Sequence, residues 1–258
     1  MIRKRLVLTL CVLLLFVSTT TTISAKPKNT FIPNYKAGEF YLKSKSYDKA
    51  IELFKKCIEV NTLAPEAYRE LGYAYYLNKN YSSAIVNLNR ALEIDPNIEN
   101  ARLRLALAYK ASGQYDEAIV QLQEATTNNP NDAEAYFELG ILYGKRGLYS
   151  QAIESFDNVL KIDTCNEKAL YNLGVAYYSK KDLNSSKDYY IRTLEINPNN
   201  AAAHKNLAAI YIDQKNYRDA ITHLGSYVKY ARGASDIDYI EMQIHKLHAI
   251  LGDNDRIN

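Results

Sequence analysis

His245 and His248 stand three residues apart near the C-terminal end of the chain, a spacing that could set two imidazoles around a metal on one helix face. The pattern places no carboxylate or thiolate beside them, so the pair reads as solvated residues. Gly140, Gly144 and Gly147 have the density of a phosphate-cradling loop. No strand precedes them and the surrounding period is helical, which argues against that chemistry. The carboxylates are dispersed along helix surfaces, where charge serves solvation. His204 and His223 fall on separate helices. These residues predict no catalytic constellation, metal site or cofactor, and the chain is expected not to be an enzyme.

The thiols are equally quiet. Of three cysteines, Cys11 lies in an apolar N-terminal run, leaving Cys57 and Cys165 far apart in the scheme below. Stacked helices are about 10 Å across, whereas a disulfide needs Cα atoms within about 7 Å. Packing alone must therefore hold the fold.

Met1 to Ala25 reads as a secretory signal: Arg3, Lys4 and Arg5, then the apolar Leu6 to Val17, then a Ser/Thr-rich stretch ending at Ala25. The apolar run from Leu6 to Val17 is short beside the ~20 residues that span a bilayer. The alternative is an uncleaved anchor over residues 6–23. Cleavage after Ala25 removes three basic and no acidic residues, taking the formal charge from +3 to zero. A neutral chain has no net attraction to nucleic acid or anionic lipid. The expectation is an exported protein that touches membrane only through its N-terminal segment if that is kept. With only 10 Gly and 6 Pro, the remainder has few breakers, which suits short turns between helices.

The elements repeat. From Phe31 to Ala234 the chain keeps one 34-residue period without insertion or deletion. Tyr41, Tyr75, Tyr109, Tyr143, Tyr177 and Tyr211 mark it, as do Gly38, Gly72, Ala106, Gly140, Gly174 and Ala208. A small-residue column follows, Ala50, Ala84, Ala118, Ala152, Ser186 and Ala220, and then a bulky one, Phe54, Leu88, Leu122, Phe156, Tyr190 and Leu224. In the second copy, Tyr68, Leu71, Gly72 and Tyr75 make one stripe of a helix. Ala84, Leu88 and Ala91 make the stripe of a second helix after the Asn78-Lys79-Asn80 turn. Gly72 and Ala84 are small because the two helices cross closest there. Pro96, Pro130 and Pro198 stop the second helices. The copies span 31–64, 65–98, 99–132, 133–166, 167–200 and 201–234. Residues 26–30 are a lead-in that contains Pro27, with Pro33 marking the start of the first helix. Residues 235–252 form a capping helix opened by a Ser235/Asp238 capping box and lined by Ile237, Ile240, Ile244, Leu247 and Leu251. Residues 253–258 are a tail.

Tyr68, Leu71, Gly72, Tyr75, Ala84, Leu88 and Pro96 resemble the tetratricopeptide repeat pattern point for point. The departures are Asn34, Ala37 and Thr62 in the first copy, and Thr164 and Arg232 in place of proline later. The resemblance implies an all-α, right-handed superhelical solenoid of six 34-residue repeats with a C-terminal capping helix. It further implies that first helices line a concave groove that holds a polypeptide partner. Carried onto this chain, the groove positions are Tyr35, Arg69, Tyr73, Tyr76, Leu103, Arg104, Leu107, Phe137, Glu138 and Ile141. Tyr171, Asn172, Tyr178, Lys205 and Asn206 continue the set. Some of these tyrosines could instead pack between repeats. If the set is a binding strip, Phe137→Ala and Tyr171→Ala weaken partner binding with melting intact, and loss of Tyr143 does the reverse.

Some family members clamp a terminal carboxylate with basic residues and asparagine in successive repeats. Here Glu134 and Glu138 follow Arg69 and Arg104, with the wrong sign. The asparagine ladder of glycosyltransferase superhelices is represented only by Asn172 and Asn206. The resemblance therefore implies a non-catalytic scaffold for protein partners, of the kind that assembles envelope or secreted complexes. The alternative is a carbohydrate- or polymer-binding accessory protein of polysaccharide export.

Overall fold

The computed structural model describes residues 30–252. The signal or anchor segment, nearly all of the lead-in and the tail lie outside the described residues. Among those residues the chain forms thirteen α-helices and no strand. Six antiparallel pairs follow one another. The first three are α1 (Phe31–Lys43) with α2 (Tyr47–Val60), α3 (Pro65–Leu77) with α4 (Tyr81–Ile94), and α5 (Ala101–Ala111) with α6 (Tyr115–Asn128). Then come α7 (Ala133–Lys145) with α8 (Tyr149–Ile162), α9 (Glu167–Ser179) with α10 (Leu183–Ile196), and α11 (Ala201–Asp213) with α12 (Tyr217–Tyr230). Helix α13 (Ile237–Leu251) closes the array. Each helix packs on its predecessor and successor, and the first helices of neighbouring pairs also touch, as α1 does α3 and α7 does α9. This is an all-α solenoid, with every contact local to a repeat or its neighbour.

The columns now have partners. A Cβ built on Gly140 would lie 2.5 Å from Phe156, and on Gly174 2.5 Å from Tyr190. On Gly38 it would lie 2.7 Å from Phe54, and on Gly72 2.6 Å from Leu88. The glycine thus admits the bulky residue sixteen positions later in the same repeat, where the two helices cross. Ala50, Ala84, Ala118, Ala152 and Ala220 are fully buried, and Ser186 stands in their column with its hydroxyl donating to the Gly174 carbonyl at 2.8 Å. A further buried column, Ala67, Ala101, Ala135, Ala169 and Ala203, lies where each first helix meets the second helix of the preceding repeat.

Each first helix ends the same way. In the second repeat Asn80 N–H donates to the Tyr75 carbonyl and Lys79 N–H to that of Tyr76, both at 2.9 Å. This is the paired bond of a Schellman stop, and the six column tyrosines supply its outer acceptor in every repeat. The motif needs a left-handed residue. Gly113 and Gly147 fill that place in two repeats, but Lys45, Lys79, Lys181 and Lys215 fill it in the others, with φ between +59° and +66°. A non-glycine residue there costs about 1 kcal/mol or more.

Two local expectations are corrected. Pro33 lies inside α1, in its first turn, where a missing N–H leaves no bond unmade. The Ser235/Asp238 capping box does not form: α13 starts at Ile237 behind Asp236, whose carboxylate accepts from Tyr227 and Lys205 instead. The capping helix does bury Ile240 and Leu247 against Leu224 and Tyr227. Cys57 is buried, Cys165 exposed, and both are free; burial pushes the Cys57 thiol up to about 11.

Candidate partner-binding groove

The first helices carry the groove positions, and most of their polar groups are already engaged along the stack. Tyr35 meets Phe54 edge-on at 5.6 Å, and its hydroxyl accepts from Arg69 at 3.4 Å. Arg69 and Arg104 both bind Glu70, each at 2.8 Å, and Glu70 is only 6% exposed. The Arg104 guanidinium also lies 4.1 Å over the Tyr73 ring, which stacks on Tyr76 at 6.2 Å. Lys110 pairs with Glu138 across the next boundary. Asn206 donates to the hydroxyls of Tyr171 and Tyr190, and Lys205 reaches Asp236 before the capping helix. Asn172 bonds back to the Lys168 carbonyl of its own helix. Tyr178 sits beneath the Lys181 ammonium at 5.9 Å.

Burial has tuned several of these groups. It raises the Tyr190 phenol strongly and the Tyr76 and Tyr35 phenols less. Glu70 is shared by two cations and Glu138 pairs with a third, so three positive charges meet two negative ones. The groove therefore carries little unpaired charge.

The sequence set divides accordingly. Leu103 is 6% exposed and belongs to the core, a correction to its place on the groove surface. Phe137 packs edge-on against Phe156 at 5.6 Å, and Tyr171 tilts against Tyr190 at 5.8 Å. Both line the groove position but also support their own repeat, so their truncation also removes packing. Tyr143 is buried and its hydroxyl accepts from Gln123, as a packing residue should. Tyr73 and Arg104 come together with Glu39, Leu42, Lys43, Glu70 and Leu77 around one cleft of about 320 Å³.

Two groove residues escaped the sequence reading. Glu70 stands one full repeat before Arg104, and that opposite-sign pair in one column was the available signal. Val175 continues the column of Tyr73, Leu107 and Ile141 and is 37% exposed. The groove floor is thus apolar at its centre and lined by ion pairs at its sides. Among the described residues no cluster of three or more His, Cys, Asp or Glu could hold a metal. No described helix is long and apolar enough to cross a membrane.

Known proteins share this architecture. Sequence models described as tetratricopeptide repeat match residues 33–62, 65–98 and 87–120, and one described as TPR repeat matches 107–147. The model of anaphase-promoting complex, cyclosome, subunit 3 matches 145–227. No curated protein matches the chain significantly. The solved MamA protein is 26% identical over 67% of this chain and 94% of its own, with a TM-score of 0.61. YrrB, described as a TPR protein with an unusual peptide-binding site, is 24% identical over 68% of this chain and 91% of its own, TM-score 0.59. The C-terminal part of a TPR repeat-containing protein from Cytophaga hutchinsonii is 20% identical over 86% of this chain and 89% of its own, TM-score 0.72. At these identities the last two show the fold alone. Four repeat models matching within residues 33–147, laid on a stack of helix pairs, place this chain in the tetratricopeptide repeat family.

Proposed function

We propose that this protein is a non-catalytic scaffold that holds a polypeptide partner along its first helices, exported from the cell and working in assembly of an envelope or secreted complex. The observation that carries the reading is the groove floor. Tyr73, Leu107, Ile141 and Val175 form an apolar column through four consecutive repeats, flanked by the Arg104–Glu70 and Lys110–Glu138 ion pairs. Such a strip favours apolar side chains of a partner over a charged terminus, because the cations are already bound to Glu70 and Glu138.

Val175→Asp should weaken partner binding by about 1–3 kcal/mol and leave the melting temperature nearly unchanged, since the side chain already meets water. Phe137→Ala should lower both affinity and melting, because it also removes the contact with Phe156. Calorimetry on a captured partner would check this. Undiminished affinity in Val175→Asp would move the site off the groove. A glycan that binds where no peptide does would favour the carbohydrate alternative.

Export rests on residues 1–25. Protein purified from its native host should begin at Lys26, as N-terminal sequencing would show. Intact Met1 recovered in the membrane fraction would make residues 6–23 an anchor instead.

A further inference from the structure

The left-handed lysines raise a question that the fold does not answer. Gly113 and Gly147 show that glycine serves at this turn, yet four repeats place a strained lysine there. Local strain retained where a simpler residue would serve points to a use for the side chain. Because the first helices run parallel, these turns share one edge of the solenoid. Lys45, Lys79, Lys181 and Lys215 are all exposed on it. Lys43, Lys145, Arg146 and Lys180 stand beside them, also exposed. Over the last residue of each first helix and the two that follow there are eight cations and one carboxylate, Asp213, and of the eight only Arg146 forms an ion pair, with Asp116. The carboxylates just beyond are exposed but mostly engaged by neighbours: Asp48 accepts from Asn78, Asp116 pairs with Arg146, Asp182 caps α10 and Asp219 accepts from Asn216, with Glu117 exposed beside Asp116.

The opposite edge, where one repeat passes to the next, is acidic. It carries Asp95, Glu99, Asp132, Glu134, Asp163 and Glu167. A helix of this length holds the two edges about 20 Å apart, more than twice the ~8 Å over which salt screens charge. The edges therefore act separately. The zero formal charge of residues 26–258 conceals a basic edge and an acidic one.

We propose that the basic edge docks the solenoid on an anionic phospholipid surface. The charges are nearly all lysines, point charges on flexible stems, one or two in each of five repeats and none in the third. That suits a diffuse sheet of headgroups better than a ligand needing fixed bidentate geometry. The acidic edge faces away, and the groove stays open to its partner.

The test uses the full chain and a variant with Lys45→Gly, Lys79→Gly, Lys181→Gly and Lys215→Gly. Glycine suits the turn, so the variant should melt no lower than the parent. Both are sedimented with vesicles of phosphatidylcholine alone or mixed with phosphatidylserine. Residues 1–29 are common to both proteins, so any effect of theirs cancels in the comparison. The parent should prefer the anionic vesicles, and the variant should lose at least about tenfold of that preference. Salt of ~0.5 M should abolish the difference. The same four changes to Asn, which also tolerates a left-handed turn, should give the same loss and guard against an effect of glycine itself. Equal binding of parent and variants to anionic vesicles would overturn the proposal. So would a parent that ignores phosphatidylserine, or one that binds soluble polyglutamate while ignoring the vesicles.

Discussion

Gly140→Leu should lower the stability of the solenoid by about 3 kcal/mol or more, and its melting point by roughly 5–10 °C. The Cβ alone would stand 2.5 Å from the Phe156 ring, and the rest of the leucine has no room between α7 and α8. Lys145→Leu, five residues along the same helix and exposed, should cost under about 0.5 kcal/mol. The stack also supplies a remedy. Where the first-helix position is alanine, as in Ala106 and Ala208, the facing residue is Leu122 or Leu224 in place of an aromatic ring. Gly140→Ala should therefore be costly alone and recover most of its loss when combined with Phe156→Leu. Thermal melts of the four proteins would check the series. Equal melting of the two leucine variants would mean the helix faces are wrongly assigned.

Glu70→Ala is expected to cost about 2–3 kcal/mol. Breaking a buried ion pair by removing one partner typically costs 3–5 kcal/mol, discounted here because Arg69 and Arg104 keep side-chain exposures of 17% and 21% and can reach water. The change should also alter what the groove accepts. Two freed guanidiniums beside Tyr73 make that end of the cleft cationic, so acidic peptides that the parent ignores should now bind. Denaturant melts and titration with an acidic peptide would read the two effects. A variant as stable as the parent would show that the arginines hold their places without the carboxylate.

The sequence carried the repeat almost completely, because each packing column is a choice of side-chain size made again in every copy. The glycine column could be read as a close crossing before its partner was seen, and Phe156 and Tyr190 lie where that reading put a bulky residue. The groove was less legible. Position along a helix says which way a side chain leaves the backbone, but not what it meets one repeat later. Arg69 and Arg104 looked like free anchors, and Glu70 claims both. Phe137 looked like a surface aromatic, and Phe156 reaches out to it. Leu103 sank into the core shared by the third, fourth and fifth repeats. The capping box failed for the same reason, since Asp236 found partners in the preceding repeat.

The polar bonds that run from one first helix to the next are unevenly distributed. They join the first and second repeats at Arg69 and Tyr35, the second and third at Glu70, the third and fourth at Lys110 and Glu138, and the fifth and sixth at Asn206 and Tyr171. Among the described residues none joins α7 to α9. That junction rests mainly on apolar packing, including Phe156, Val159, Ala169 and Leu173, with one exposed bond from Lys180 Nζ to the Ser150 hydroxyl at 3.2 Å; apolar contacts are non-directional. The repeats before that junction and those after it are then two arms whose mutual angle is the one not held by a polar bond between first helices. A bulky guest would be accommodated by a change of curvature between the fourth and fifth repeats, with each arm moving as a unit.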